Sequence, residues 1–211
     1  MGGRISKRVF FPPSPPFYDS SYPTAWIPKR SPPFEEGDRI PALFIENASS
    51  RTLPITLIFS HGNARDIGMP KWLPWVHAMA KELRVNVLYY DYSGYGPSGG
   101  MPSEENCYHD IETAFDWLTK VKGIPGEAVI LIGQSVGTGP STHLAQKLSL
   151  EGRPFGGLVL WSPFASIIRI ASPFLARVIP WSDLFVNINK IADVRQPVLS
   201  VHGQQDELVP H

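Results

Sequence analysis

Residues Ala128 to Thr138 read Ala-Val-Ile-Leu-Ile-Gly-Gln-Ser-Val-Gly-Thr, and no other stretch restricts the fold as tightly. An apolar, β-branched run (Val129 to Ile132) enters Gly133-Gln134-Ser135-Val136-Gly137, and a helical pattern with Leu144, Leu148 and Leu150 leaves it. This is strand, sharp turn, helix, with Ser135 at the apex. Glycines two before and two after the serine permit a bend in which side chains would collide. The bend lifts the hydroxyl above the strand end. It also aims the Val136 N–H at the place where charge would gather on an attacked carbonyl oxygen. Glycine and serine are ordinary turn residues, so the bland alternative is a strand-to-helix turn with an idle serine. The flanking patterns favour a nucleophile elbow.

The rest of the chain alternates in the same way. Ala42 to Glu46 reads as a short strand, Ile55 to Ser60 and Val85 to Tyr90 as buried ones, Ala128 to Ile132 as the central one. Gly157 to Trp161 and Val198 to His202 complete the set. Helical periodicity covers about Lys71 to Leu83 and Ser103 to Val121, the latter started by a serine with glutamates behind it. Strands alternating with helices give an α/β fold with a parallel sheet covered on both faces, and such sheets bind ligands at the C-terminal strand ends. Those ends carry His61-Gly62-Asn63-Ala64, Asp91-Tyr92-Ser93-Gly94-Tyr95-Gly96, Ser135, Ser162-Pro163 and Gly203-Gln204-Gln205-Asp206. Five polar or glycine-rich loops on one rim make a site.

The 211 residues suit one domain, and 19 basic against 19 acidic residues give no reason to expect nucleic acid as a partner. The single Cys107 excludes an internal disulfide framework and fits a reducing compartment. No run of 18 apolar residues spans a membrane, and no secretory signal opens the chain. No metal or cofactor is expected. Residues 1–8 contain Met1-Gly2-Gly3-Arg4-Ile5-Ser6, a myristoylation pattern at Gly2, followed by Lys7 and Arg8. One acyl chain holds weakly, and nearby basic residues supply the second attraction to anionic lipid. The expectation is a lipid-anchored protein on the cytoplasmic face of a membrane. Residues 9–42 hold nine of the 22 prolines among seven aromatics, which predicts an extended segment lying over the domain, with short edge strands at most. Residues 43–211 form the domain proper.

Taken together, His61-Gly62-Asn63, Asp91-Tyr92-Ser93-Gly94-Tyr95-Gly96, Gly133-Gln134-Ser135-Val136-Gly137 and His202-Gly203-Gln204-Gln205-Asp206 resemble an α/β-hydrolase. More narrowly, they resemble the α/β-hydrolase-domain-17 family of membrane-associated serine hydrolases that remove palmitate from proteins. The resemblance implies Ser135 as nucleophile, the Val136 and Asn63 N–H groups as oxyanion donors, and Asp206 as the acid that orients a histidine. It implies palmitoyl-cysteine of membrane proteins as substrate. Asp206 also fits the Ser-then-Asp chain order of this fold. Asp91 precedes the serine and is expected to brace its glycine loop. Asp183 is the other rival acid.

The base is harder to find. Only His211 follows Asp206, too closely for the helix and strand that the fold places between them. His61 is expected to brace its loop, His77, His109 and His143 fall in helices, and His202 ends a strand. The expectation is a fold lacking its last helix, last strand and base, nearly inactive, with an open sheet edge. Pro163 to Trp181, apolar with Arg169 and Arg177, reads equally as a lid over an acyl groove and as a core helix. Two other functions stay open: a general esterase or aminopeptidase-like hydrolase, and a non-catalytic membrane-associated binding protein on the same scaffold.

Overall fold

The computed structural model describes residues 9–29, 38–47, 55–171 and 183–209. The lipidation pattern at Gly2, most of the Pro163 to Trp181 segment and His211 lie outside them. Among the described residues one sheet contains β1 (Ala25–Pro28), β2 (Arg39–Ile45), β3 (Thr56–Ser60), β4 (Asn86–Tyr90), β5 (Val129–Gln134), β6 (Gly157–Trp161) and β7 (Val198–Val201). Their order is β1-β2-β4-β3-β5-β6-β7. β2 runs antiparallel to both β1 and β4, and the other neighbours are parallel. The sheet is therefore mostly parallel, with an antiparallel edge made by β1 and β2.

Two boundaries shift for physical reasons. β5 runs two residues past Ile132, because Gly133 and Gln134 still pair with Leu160 and Trp161 of β6. β2 starts at Arg39 rather than Ala42, despite Pro41. The β2–β4 ladder begins at Ala42, so the missing N–H of Pro41 interrupts no pair with β4.

Helices cover the sheet. α1 (Leu73–Leu83) starts with Pro74 in its first turn and stops at Arg84, which takes a left-handed conformation with φ 55°. α2 (Glu104–Asp116) is capped by Ser103, whose Oγ accepts the Asn106 N–H at 3.0 Å, and runs into a π-helical turn over Trp117–Val121. α3 (Thr138–Glu151) ends at Gly152, φ 66°. α4 (Ile167–Ala171) and α5 (Asn187–Lys190) are short.

Alternation along the strands sorts the core into two layers. Ile58, Leu88, Tyr90 and Leu131 join Ile111, Phe115, Leu144 and Leu148 beneath α2 and α3. Leu57, Phe59, Val87, Tyr89 and Ile132 meet Val76 and Ala80 of α1. β7 differs: all four of its residues are exposed, Leu199 at 57%.

A buried ion pair joins the N-terminal strands to the rest. Lys29, just past β1, places Nζ 3.1 Å from Asp110 Oδ1 on α2, with side chains 1% and 0% exposed. Lys29 Nζ also donates to Ser93 Oγ (2.5 Å), and the Ser93 N–H donates to Asp110 Oδ2 (2.6 Å). Removing one partner of a buried pair strands the other. Lys29→Met is expected to lower unfolding free energy by about 3 kcal/mol, with Lys29→Met/Asp110→Leu recovering part of it, both measured by urea titration.

On the surface, Glu112 of α2 ties to α3, accepting from His143 Nε2 (3.3 Å) and Lys147 Nζ (2.6 Å). Partial burial raises its pKa, but these donors outweigh that and bring it from 4.5 down to about 2. Its contribution to stability is present above about 4.5 and is lost as pH falls toward 2. Glu112→Gln should flatten the stability curve across that window, read by thermal unfolding between pH 2 and 5.

Candidate active site

The rim is assembled from strand ends. β5 delivers Ser135 into a single tight turn, Ser135–Gly137, that opens directly into α3. Ser135 takes φ 50°, a left-handed conformation that a non-glycine residue adopts at about 1–3 kcal/mol. Its side chain is half-buried, at the surface rather than inside the core. Thr138 Oγ1 donates to the Ser135 carbonyl at 2.6 Å and fixes the turn.

The glycines are required by contact, not only by conformation. A Cβ on Gly133 would sit 2.4 Å from the Gly137 carbonyl oxygen. One on Gly137 would sit 2.1 Å from the Ser60 oxygen and 2.8 Å from that of His61. The elbow thus lies against the end of β3, where the His61-Gly62-Asn63 loop begins. Gln134 faces α1, and its Oε1 accepts from Arg65 Nη1 at 2.5 Å while that guanidinium lies 3.6 Å over Trp72.

That loop is braced from below. His61, fully buried, bonds Asp91 Oδ1 through Nε2 (2.9 Å) and the Gly62 carbonyl through Nδ1 (2.8 Å), so both ring nitrogens are occupied. Asp91 Oδ1 also accepts the Ile67 N–H (3.1 Å), and its Oδ2 accepts from Tyr18 Oη. Burial, then the Asp91 charge, pushes the Tyr18 phenol far above its ordinary pKa, which keeps it a neutral donor. Asp91 holds the His61 loop more than the glycine loop after it. Its contact with the latter is close packing: a Cβ on Gly96 would meet Asp91 Oδ2 at 2.5 Å.

Asn63 follows at the turn. Among the described residues its backbone N–H has no acceptor, as an oxyanion donor requires. Val136 is the residue immediately after Ser135 and is buried. Asp206 lies beyond β7 on the same rim, two strands from Ser135. Its Oδ1 accepts from the N–H groups of Val209 (2.9 Å) and Leu208 (3.1 Å). The Val209 N–H, then the Ser162 hydroxyl, holds this carboxyl below the usual carboxylate range. Ser162 follows β6, the strand between β5 and β7, and stands at φ 48°. Asp183 instead accepts the Ile168 N–H at 2.8 Å and steadies the start of α4.

Among the described residues no histidine hydrogen-bonds the Ser135 hydroxyl. His143 stacks on Tyr108 (3.7 Å between ring centres) and bonds Glu112. His202 Nε2 lies 2.6 Å from the Val209 carbonyl and 3.7 Å from Asp206 Oδ2. No group of three or more His, Cys, Asp or Glu among the described residues could hold a metal ion, and no described helix is long and apolar enough to cross a membrane. Sequence patterns gave no sign of the bonds from the proline-rich segment to Asn63, Asp66 and Asp91, which join residues 49 to 73 positions apart.

Comparison with known proteins gives the same outline. A family model described as alpha/beta hydrolase fold matches residues 55–187. Alpha/beta hydrolase domain-containing protein aho-3 of Caenorhabditis elegans is 44% identical over 163 residues, 75% of this chain and 46% of that protein. Human alpha/beta hydrolase domain-containing protein 17B is 39% identical over 174 residues, 82% of this chain and 57% of that protein. The chain thus spans about half the length of these curated relatives. Among solved structures, Est1E of Butyrivibrio proteoclasticus with ferulic acid superposes with TM-score 0.63 at 20% identity, covering 89% of this chain and 82% of that one. The esterase Pf2001 of Pyrococcus furiosus gives TM-score 0.61 at 20% identity, over 82% of this chain and 68% of that one.

The close approach at the elbow yields a direct test. Gly137→Ala forces backbone against backbone, and we expect a loss of about 1–3 kcal/mol or failure to fold, measured by thermal and urea unfolding. Gly152→Ala is the control: its Cβ meets nothing within 4 Å, leaving only the strain of positive φ.

Proposed function

This chain belongs to the alpha/beta hydrolase fold family, and from that premise we propose that it is the nucleophile-bearing part of a serine hydrolase acting on acyl esters or thioesters. The observation that carries the reading is Ser135: half-buried, at φ 50°, on a turn pressed against the oxyanion loop. Ser135 Oγ attacks the acyl carbonyl and its proton passes to a base. The oxyanion takes hydrogen bonds from the Asn63 and Val136 N–H groups, and the base returns the proton to the departing thiol or alcohol. Water then repeats the sequence on the acyl-serine. Asp206, ionised and on the same rim, orients the imidazole that serves as base.

That imidazole is expected from polypeptide outside the described residues. Two observations support this: no described histidine bonds Ser135, and β7 is exposed along its length, as a strand awaiting a further covering would be. The substrate we propose is a palmitoylated cysteine of a membrane protein, reached by a chain held at the cytoplasmic face through myristoyl-Gly2 and its basic neighbours. Likeness to alpha/beta hydrolase domain-containing protein 17B supports this reading, and likeness to the esterase Pf2001 supports a general esterase instead.

A fluorophosphonate probe should label Ser135 only slowly in this chain, and several orders of magnitude faster in a longer form carrying the next helix and strand. Ser135→Ala should label in neither. Faster release of palmitate from a lipidated peptide than of a short acyl group from an ester supports the depalmitoylase, and the reverse order supports the general esterase. A folded longer form with an unreactive Ser135 would favour a binding protein that kept the scaffold.

A further inference from the structure

The proline-rich segment does more at the rim than cover it. The Asn63 side chain is held at both ends: its Oδ1 accepts from the N–H of Phe11 (2.9 Å), the N–H of Ala64 (3.0 Å) and Tyr95 Oη (2.8 Å), and its Nδ2 donates to the Val9 carbonyl (2.5 Å). These bonds fix the residue whose own backbone N–H has no acceptor among the described residues. The next residue, Ala64, stands at φ 55°, a conformation that must be held by its surroundings.

The holding comes largely from the N-terminal segment. Val9 and Phe11 grip Asn63, the Phe17 N–H bonds Asp66 Oδ2 at 2.8 Å, and Tyr18 reaches Asp91. Both ends of the loop from Asn63 to Asp66 are thus tied to residues 9–18. The segment has its own anchor. The Phe10 ring is buried edge-on against Phe185 (5.9 Å), and Phe185 sits where a Cβ on Gly139 of α3 would lie, 2.2 Å from its Cδ1. Pro12, Pro13, Pro15 and Pro16 narrow the unfolded conformations of this stretch, so less freedom is lost on docking. They also remove backbone donors, and two of those left, Phe11 and Phe17, are spent on the loop.

We propose that residues 9–18 are a strap that positions the oxyanion loop, with the Asn63 side chain as a positioning residue for its own backbone N–H. This rests on the assignment of Ser135 as nucleophile and Asn63 N–H as oxyanion donor. The strap acts on the acylation step rather than on substrate affinity, because what it fixes meets charge that exists only in the transition state.

The test compares two substitutions at one residue. The Phe11 ring is 55% exposed, so Phe11→Ala removes little but surface, whereas Phe11→Pro removes the same ring and the N–H that bonds Asn63. In the longer form carrying the next helix and strand, acylation of Ser135 by an activated ester is followed at increasing concentration, with hydrogen exchange at residues 62–66 and the thermal midpoint measured in parallel. Phe11→Ala should match the parent. Phe11→Pro should lower the maximal acylation rate about tenfold, short of the 10²–10³-fold that loss of an oxyanion donor brings. Its half-saturation and midpoint should stay within error, and loop exchange should quicken. Asn63→Ala should fall further in rate. An unchanged rate in Phe11→Pro, a rise in half-saturation alone, or a rate loss that follows the midpoint overturns the strap proposal. A folded longer parent with no Ser135-dependent acylation overturns the nucleophile assignment, and the strap proposal falls with it. A reactive parent beside an indifferent Phe11→Pro sinks the strap alone.

Discussion

The rim depends on how closely two backbones approach where β3 and β5 end. Parallel strands sit side by side, with Ser60 opposite Gly133, but past that register the chain of β5 must turn sharply enough to start a helix. It does so by laying Gly137 against the carbonyls of Ser60 and His61. Any side chain at that position would push the two loops apart. Because the loops touch, the amide after Ser135 and the amide at Asn63 belong to one rigid unit, and everything else described at the rim holds or extends it.

The parts of this architecture that repeat were legible in the sequence, and the parts that occur once were not. Buried strands announce themselves by β-branched runs, and the elbow by glycines at fixed offsets from Ser135. The Ser103 cap was readable because a cap is a local matter of three residues. Chain order alone points to Asp206, and the bonds that lower its pKa, from Val209 and Ser162, have no signature in the sequence. Lys29 and Asp110 are separated by the whole of β2, β3, α1 and β4. No spacing rule links such residues, since the topology that joins them has to exist first. Proline density left room only for short edge strands over residues 9–42, and β1 is one, closed by Pro28, while Pro41 lies just outside the β4 ladder.

Charged groups at the rim and in the core divide by function. Asp91 and His61 are buried, mutually bonded and spent on loop geometry. Asp206 is part-exposed, with main-chain donors on Oδ1 and His202 Nε2 3.7 Å from Oδ2. Burial thus separates a sealed Asp–His pair from a carboxylate that solvent reaches, although both sit at strand ends and look alike in sequence.

The pair between Lys29 and Asp110 also bears on how the protein could be processed. A cut or an internal start codon placed after residue 29 would leave a carboxylate sealed under α2 with its ammonium gone, and would take β1 from the sheet edge as well. Only a cut before Lys29 leaves the buried pair whole.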